Sequence, residues 1–475
     1  MLRHAATWSI GCLICVAFVG CQSVRPAAVL YRAQQRDELP PVTQAQFLPP
    51  PEDIKTGTPI PISLDTVLQL AQDQNGQVRI ARMRVEDALT DKEWASKHWI
   101  PDLFVGIGAY RHDGGIQDFQ GNLLRSHYGN AFGGLELSGK YDWKQVLVRR
   151  VEAERRVWQQ KGELSRLNNE TLLDASTTYI GLLAARSGIA VSLETEMRLK
   201  DLLDHTDRLA MVDPGVRIEV SNVERELMAQ TVLTVKMREA SKAATAKLAY
   251  LLGLNPCCEF IVADGKLVPI VLVDTKQPVH NLVDQALERG PGVREIEGLL
   301  RSVEAARNAN YGLTHWMPAI EMNVSEGSFG AGPGGRIDWS NQFNAGIHMR
   351  WNLNEFYYSK LKRHQADANI QQVHISYQDL RAKLTLGVQE ARDAIVSGQE
   401  QIGLAEKHIR FAEESYKLSE ARLKENVKGR SSSEVLLALR TLGAARLEYL
   451  QAVRDYDKAQ LRLFLLVGAA EDGRR

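Results

Sequence analysis

The chain has 475 residues, enough for two or three domains of ordinary size. Its 58 Lys and Arg balance its 58 Asp and Glu, which argues against charge-driven binding of nucleic acid. Beyond residue 20, no stretch approaches the ~18–20 apolar residues that a membrane helix needs. A membrane crossing by this part of the chain would therefore require closed β structure.

Residues 1–20 have the pattern of a secretion signal. Arg3 precedes an apolar run that ends at residue 18 and is too short for a spanning helix. The run continues into F-V-G-C, which resembles a bacterial lipobox, so we predict cleavage before Cys21 and a palmitate-bearing lipid on it. Gln22 stands where an Asp would indicate retention in the inner membrane, which favours the outer membrane. An uncleaved anchor helix is the alternative.

The segment after the lipid site forms an N-terminal extension. Residues 21–62 are polar and proline-rich, which predicts an extended tether from the lipid, with disorder as the alternative.

Apart from the cysteines of the signal and the lipid site, the chain contains only two cysteines, Cys257 and Cys258. Adjacent cysteines rarely pair, and no other ligand has zinc-like spacing. We interpret them as incidental surface thiols, and we predict no metal site.

An internal repeat is the most informative feature of the sequence. Leu251-Leu252-Gly253 reappears as Leu466-Val467-Gly468, a shift of 215 residues, and the same shift relates Ala71 to Ala286. Trp99-Ile100-Pro101 has its counterpart in Trp316-Met317-Pro318, at a shift of 217. We predict a first unit at 63–277, a second at 278–468, and a tail at 469–475.

Proline placement predicts very long helices in each unit. No proline lies between Pro101 and Pro214, and none follows Pro333. Because a proline inside a helix costs about 3 kcal/mol, its absence permits helices of roughly 100 Å. The predicted long helices are 144–212 and 356–427, and the predicted returning helices are 217–253 and 433–467.

The second long segment has the heptad pattern of packed helices. Small and apolar residues recur at alternating steps of four and three, with one stutter. They are Leu380, Leu384, Gly387, Ala391, Ile395, Gly398, Ile402, Ala405, Ile409, Ala412, Tyr416, Ser419 and Leu423. A filamentous coiled coil is the alternative interpretation.

Four segments alternate with period two, as strands do. They are predicted at 102–111, 131–142, 319–329 and 341–354. A soluble hairpin gives the same pattern, but pairs placed alike in two units favour a membrane barrel. Four strands cannot close alone, so three copies would supply twelve. The predicted lumen residues are Glu136, Lys140, Glu321, His348 and Arg350.

Catalytic motifs give little support to an enzyme. Residues 330–335 fit GxGxxG but contain proline and precede another strand, so we predict an external loop there. The sequence has no GxxxxGK[ST], HExxH or GxSxG motif. We predict no catalytic activity and no cofactor.

The order of these landmarks resembles the TolC-like outer membrane efflux protein family from about Ser63 to Gly468. The carrying features are the opening Ser63-Leu64-Asp65, the junctions at Pro101 and Pro318, and the two Leu-Leu-Gly-type ends. The resemblance implies a homotrimer with a 12-stranded transmembrane β-barrel and a periplasmic α-barrel. It also implies a passive exit duct for tripartite efflux or type I secretion, working with a periplasmic adaptor and an inner-membrane pump. A lipid-anchored, non-conducting scaffold is the alternative.

The resemblance further implies that the turns after the long helices are periplasmic tips. There, charged residues constrict the entrance and adaptors dock. The corresponding residues are Asp213, Arg217 and Glu219 in the first turn, and Arg430 and Glu434 in the second. Three copies of Glu434 near an axis would repel unless paired with Arg430 or a cation. Helix capping by the serines at 431–433 is the alternative role for this turn.

Overall fold

We describe the fold from a computed structural model, which describes residues 60–274, 276–309, 317–333, 336–425 and 431–468. The predicted signal, the lipid site Cys21 and most of the tether lie outside these residues. Arg430 and the tail at 469–475 also lie outside them.

Each repeat contains two short helices, two long strands, a very long helix and a returning helix. In the first repeat these follow a short strand: β1 (Ile60–Ile62), α1 (Leu64–Gln74), α2 (Gly76–Lys97), β2 (Asp102–Gln117), β3 (Leu123–Tyr141), α3 (Trp143–Val212) and α4 (Arg217–Leu251). In the second repeat, which therefore begins before the predicted boundary at 278, they are β4 (Phe260–Val262), α5 (Val279–Arg289), α6 (Val293–Ala309), β5 (Ala319–Pro333), β6 (Asp338–Arg350), α7 (Asn354–Lys424) and α8 (Ser432–Leu466). The predicted fold class, mostly helical with long strands and an internal duplication, is confirmed.

Several sequence predictions about the strands were wrong. Strand β2 continues to Gln117 rather than ending at 111, and β3 begins at Leu123 rather than at 131. Strand β6 covers 338–350 rather than 341–354, because α7 already begins at Asn354 and the alternating Trp351 and Leu353 lie in the junction. The predicted external loop at 330–335 is strand as far as Pro333. The proline and the strand that follows suggested a loop, but Gly330 stays in the ladder opposite Ala131 because strand pairing uses only backbone groups.

The heptad positions of α7 form the seam that the sequence predicted. From Leu384 to Leu423 every one of them is buried or half-buried. Small residues let the neighbouring helix approach closely: Gly398 lies directly against Tyr456 of α8, where an added Cβ would come within 3.2 Å of the tyrosine Cβ. Packing along this stripe, more than helix propensity, therefore holds a helix about 105 Å long in place.

Side-by-side packing orders the long helices. Around the returning helices the contacts run α4–α3–α8–α7, and towards the sheet they run α2–α3–α6–α7. The long helices α3 and α7 thus change partners halfway along their length. At the end that leads to the turns, α4 and α7 are the outermost helices of the four.

Residues 260–274 cross the middle of the helices, and we call them the belt. Its strand β4 pairs with β1 in a small parallel sheet that the sequence did not reveal. Tyr179 of α3 is fully buried and donates a hydrogen bond to Asp264 at 2.6 Å, while Arg186 donates to the Phe260 carbonyl at 2.7 Å. Burial and the Asp264 hydrogen bond both raise the pKa of Tyr179, so the phenol remains a donor.

On the other side, two polar side chains of α8 hold the belt. Asp457 Oδ1 accepts a hydrogen bond from the Ile270 amide at 2.9 Å, and Gln460 accepts from the amides of Leu272 and Val273. Asp457 is fully buried, and its Oδ2 has no hydrogen-bond partner among the described residues. Burial raises the pKa of Asp457 to about 7, because the charged form is poorly solvated there.

The two Leu-Leu-Gly-type ends form equivalent turns. Gly253 and Gly468 have φ of 69° and 76°, in the left-handed region that glycine tolerates best. An added Cβ would press into the carbonyl oxygen of Gln74 in the first repeat, and of Arg289 in the second. Each glycine thus allows a returning helix to end against the last turn of a short helix.

Alanine at Gly253 or Gly468 is expected to lower the free energy of unfolding by about 2 kcal/mol or more. Its side chain would clash with a carbonyl oxygen, and its backbone would be strained in the left-handed conformation. Gly181→Ala in α3 is the matched control. Its Cβ would meet nothing within 4 Å, so alanine should be neutral or slightly stabilising. Thermal unfolding of the three variants measures this; equal effects at all three positions would contradict it.

Asp457 should make stability depend on pH. Its pKa of about 7 lies above the value near 3.9 of an unfolded chain, so its contribution is greatest at low pH and is lost as the pH rises through about 7. Between about pH 5 and about pH 8 we expect a loss of roughly 2–3 kcal/mol. Asp457→Asn should remove this slope while keeping the bond to Ile270. Parallel slopes in both proteins would contradict the assignment.

Candidate functional site

The four long strands form one antiparallel sheet in the order β2-β3-β5-β6. One face of it is largely apolar. Paired rows place Leu103 beside Leu137 and Val324, and Met322 beside Ile347. Many of these side chains are strongly exposed, with Val105 at 79% and Ile107 at 93%. Large apolar side chains exposed on one continuous face indicate a surface that contacts something other than water.

The opposite face carries the residues predicted to line a lumen. Lys140, Glu321 and His348 stand in one cross-strand row. Glu321 pairs with Lys140 at 3.3 Å and with Arg350 at 3.2 Å. Glu136 lies on the same face, where it accepts a hydrogen bond from Asn323. All five predicted residues are thus on one polar face, and four of them lie together at the end nearest the helices.

The sheet has two free edges. Strand β2 pairs only with β3, and strand β6 only with β5, among the residues that the structure describes. The central pair, β3 and β5, joins the two repeats and approaches closely at Gly134 and Gly327, where an added Cβ would strike the facing backbone. The outer backbone groups of β2 and β6 remain available for pairing.

The outermost helices also carry unpartnered apolar stripes. On α7, Leu404, Phe411 and Leu418 are 58–68% exposed at steps of seven. Each stands two residues beyond a seam position, which is about 200° around the helix. On α4 the corresponding stripe is Met228, Val232 and Val235, which are 54–63% exposed. We call these the α7 stripe and the α4 stripe.

The two stripes lie at the same height along the helices. Arg446 of α8 pairs with Glu413 of α7 at 2.8 Å, and six residues earlier Arg440 lies 3.7 Å from Glu226 of α4. These ion pairs set residues near 413 of α7 level with residues near 232 of α4. The helices therefore present matching apolar stripes on opposite edges.

Arg446 was not found by sequence reasoning. It also pairs with Glu194 of α3 at 2.9 Å and so joins three helices. Burial acts to raise the pKa of Glu194, but Arg446 and Arg198 outweigh it and hold the pKa below its usual value. A single arginine in a heptad sequence gives no local signal of such a role.

The first turn is fixed by its own capping interactions. Asp213 accepts a hydrogen bond from the Gly215 amide at 2.9 Å and caps the short 3-10 turn Pro214–Val216. Arg217 is exposed at the start of α4. Glu219 reaches the other repeat instead: it accepts from the Ser431 hydroxyl at 2.8 Å and from the Ser432 amide at 2.9 Å. The structure thus links the two turns through one carboxylate.

The predicted pairing of Glu434 with Arg430 in the second turn lies outside the described residues, which do not include Arg430. Glu434 pairs with Arg422 of α7, at 2.8 Å, and both side chains are about half exposed. Ser431 is the N-cap of α8 and accepts from the Ser433 amide. Ser431 therefore caps helix α8 in this turn. Arg422 is the charged partner of Glu434, and the sequence analysis did not identify it.

None of the helices that the structure describes is both long and apolar enough to cross a lipid bilayer.

Comparison with known proteins gives a consistent result. Residues 282–469 match the family described as outer membrane efflux protein. The search of curated proteins gave no match. Among solved structures, the chain is similar to the CmeC outer membrane channel of Campylobacter jejuni, at 15% identity and a TM-score of 0.66, covering 85% of each chain.

Two further structures have the same fold. VceC of Vibrio cholerae is 13% identical with a TM-score of 0.65, covering 85% of this chain and 96% of that one. MtrE of Neisseria gonorrhoeae is 14% identical with a TM-score of 0.67, covering 85% and 88%. The match of residues 282–469 to a family of efflux proteins accords with the prediction that the chain is not an enzyme. The match to the outer membrane efflux protein family thus covers the second repeat, and the fold shared with these channel structures covers both repeats.

Proposed function

We propose that three copies of the chain form an exit duct across the outer membrane. The polar faces of three four-stranded sheets line the lumen of a 12-stranded barrel, and the helices continue the passage as a tube in the periplasm. The free strand edges carry this proposal. Unpaired backbone groups cannot face lipid, so β2 of one copy pairs with β6 of the next.

The helical edges support the same assembly. If β2 and β6 join neighbouring copies, the α4 stripe of one copy meets the α7 stripe of the next at equal height. Similar proteins are described as channels, including an open state of MtrE and the transmembrane channel of CusC. We further propose that the lipid on Cys21 anchors the chain in the outer membrane. The turns near Glu219 and Glu434 meet a periplasmic adaptor, which connects the duct to an inner-membrane pump.

A lipid-anchored scaffold without a pore remains the competing function, and reconstitution separates the two. Full-length protein purified from outer-membrane fractions should run as a heat-sensitive trimer and give stepwise ion conductance in planar bilayers. A trimer that inserts and gives no conductance would support the scaffold instead.

The helical stripes should be required for assembly. Replacing Leu404, Phe411 and Leu418 together with Asn removes the apolar stripe of α7 that a neighbouring copy would cover, and we expect the trimer to dissociate to monomer in mild detergent. Mass photometry or light scattering measures this. Met197→Asn with Leu437→Asn is the matched control, since these residues are similarly exposed but lie on the inner helices α3 and α8. Loss of the trimer in the control alone would contradict the arrangement.

The charged turns are proposed to restrict the periplasmic entrance. Arg422→Ala with Glu434→Ala breaks the ion pair between α7 and α8, and we expect higher single-channel conductance because the turn can move away from the axis. Glu434→Ala with Arg430→Ala should act in the same direction. Glu420→Ala with Lys424→Ala is the control, because it removes an equal charge pair within α7 alone. Equal conductance in all variants would eliminate the gate and leave helix capping as the function of the turn.

A further inference from the structure

A charged cluster interrupts the apolar face of the sheet at the end farthest from the helices. Arg111, Asp113, Arg125 and His127 all belong to this face, since Asp113 pairs with His127 in the register and the two arginines stand two residues away. The side chains of Arg111 and His127 are 76% and 61% exposed. Nothing in the proposed duct uses this cluster, because it is on the outer surface and not in the lumen.

Asp113 organises the cluster. Its carboxylate accepts from Arg111 Nε at 2.7 Å and contacts His127 Nδ1 at 3.0 Å. Among the residues that the structure describes, the two terminal nitrogens of the Arg111 guanidinium have no hydrogen-bond partner, so they can bind another group. Even with Asp113 counted, two arginines give the cluster a net positive charge with histidine neutral. The arrangement suits an anion that accepts several hydrogen bonds.

Glycine stands opposite each arginine. In the register Arg111 faces Gly129, and Arg125 faces Gly115. Gly129 projects no side chain beside Arg111, whereas the Leu123 side chain lies over Gly115. The cluster is therefore open on the Arg111 side and is bordered by an apolar side chain near Arg125. A bulky headgroup can approach it from the side of the sheet.

The position of the cluster follows from the apolar rows beside it. Along β3 these rows run from Tyr141 to Ala131, about 33 Å of strand, and they are apolar except at Glu326, Ser328 and Asn341. With the tilt of ~40° usual in barrels, that corresponds to an apolar band about 25 Å tall. Trp339 lies in the last apolar row, beside Ala131 across β5, and Arg111 belongs to the next row. The two arginines thus stand just beyond this band, whose one charged residue among those paired in the four strands is Glu326, opposite Leu135.

We propose that Arg111, Arg125 and His127 bind the phosphate of a phosphorylated glycolipid in the outer leaflet. The inference rests on the proposed function, since it needs the apolar face to lie in the outer membrane. Arg111 and Arg125 donate charge-assisted hydrogen bonds to the phosphate oxygens. Asp113 binds no ligand; it orients Arg111 and His127.

The test uses the full-length trimer in nanodiscs of phosphatidylethanolamine containing a few per cent of a bisphosphorylated diglucosamine lipid. Native mass spectrometry counts the glycolipids retained. We expect Arg111→Gln with Arg125→Gln to weaken retention by roughly tenfold, as the loss of charge-assisted hydrogen bonds to phosphate predicts. Lys266→Gln with Lys276→Gln is the matched control: it removes two exposed positive charges around the belt and should leave retention unchanged.

Two comparisons define the lipid chemistry. The same glycolipid without its phosphates should be retained by the unaltered protein as weakly as the phosphorylated form is by the arginine variant. Equal retention of both lipids, or equal loss in the lysine control, would overturn the proposal. So would binding of inorganic phosphate alone with the affinity of the glycolipid.

Conductance of the same samples separates this inference from the proposed function. A variant that inserts and conducts normally while losing the glycolipid supports both. Protein that inserts and conducts without preferring the phosphorylated lipid contradicts only the inference. Protein that neither inserts nor conducts contradicts the proposed duct itself.

Discussion

The unpaired backbone N–H and C=O groups at the two edges of the sheet determine where the sheet can be placed and what it must pair with. Strands β2 and β6 each have one unpaired side among the described residues, and both belong to a sheet with one strongly apolar face. In water that face is costly, and in lipid the open edges are costly. Insertion into lipid removes the first cost, and pairing edge to edge with further copies removes the second. In the proposed trimer, this pairing makes the polar face the inside of a closed wall.

Much of the fold could be predicted because the signals are local and repeated. Missing prolines, heptad steps and the two Leu-Leu-Gly-type ends each have a direct physical counterpart in the structure. Strand ends were less accurate, because alternation continues through Trp351 and Leu353 after the strand has stopped. The parallel pair β1–β4 was missed, since three-residue strands separated by about 200 residues leave no pattern in the sequence.

In the candidate site, too, the residues placed by a local pattern could be predicted, whereas contacts between distant parts of the chain could not. Period-two alternation was enough to put Glu136, Lys140, Glu321, His348 and Arg350 on one face. The contacts of the turns were not accessible in this way. Glu219 reaches Ser431 and Ser432, more than 200 residues away, and Glu434 pairs with Arg422. Such contacts depend on the packing of two helical hairpins side by side, which no single stretch of sequence encodes.

The most direct test of the account is the alternation of water exposure along the strands. In a protein with Cys257 and Cys258 changed to Ser, single cysteines would replace Ser138, Asn323 and Asn344 on the polar face, and Leu137, Val324 and Ala345 on the apolar face. With the trimer in a bilayer, a charged thiol reagent should modify the first three and reduce conductance, and should leave the second three unmodified. Equal reactivity at both sets, or modification without any change in current, would contradict a wet lumen on the polar face.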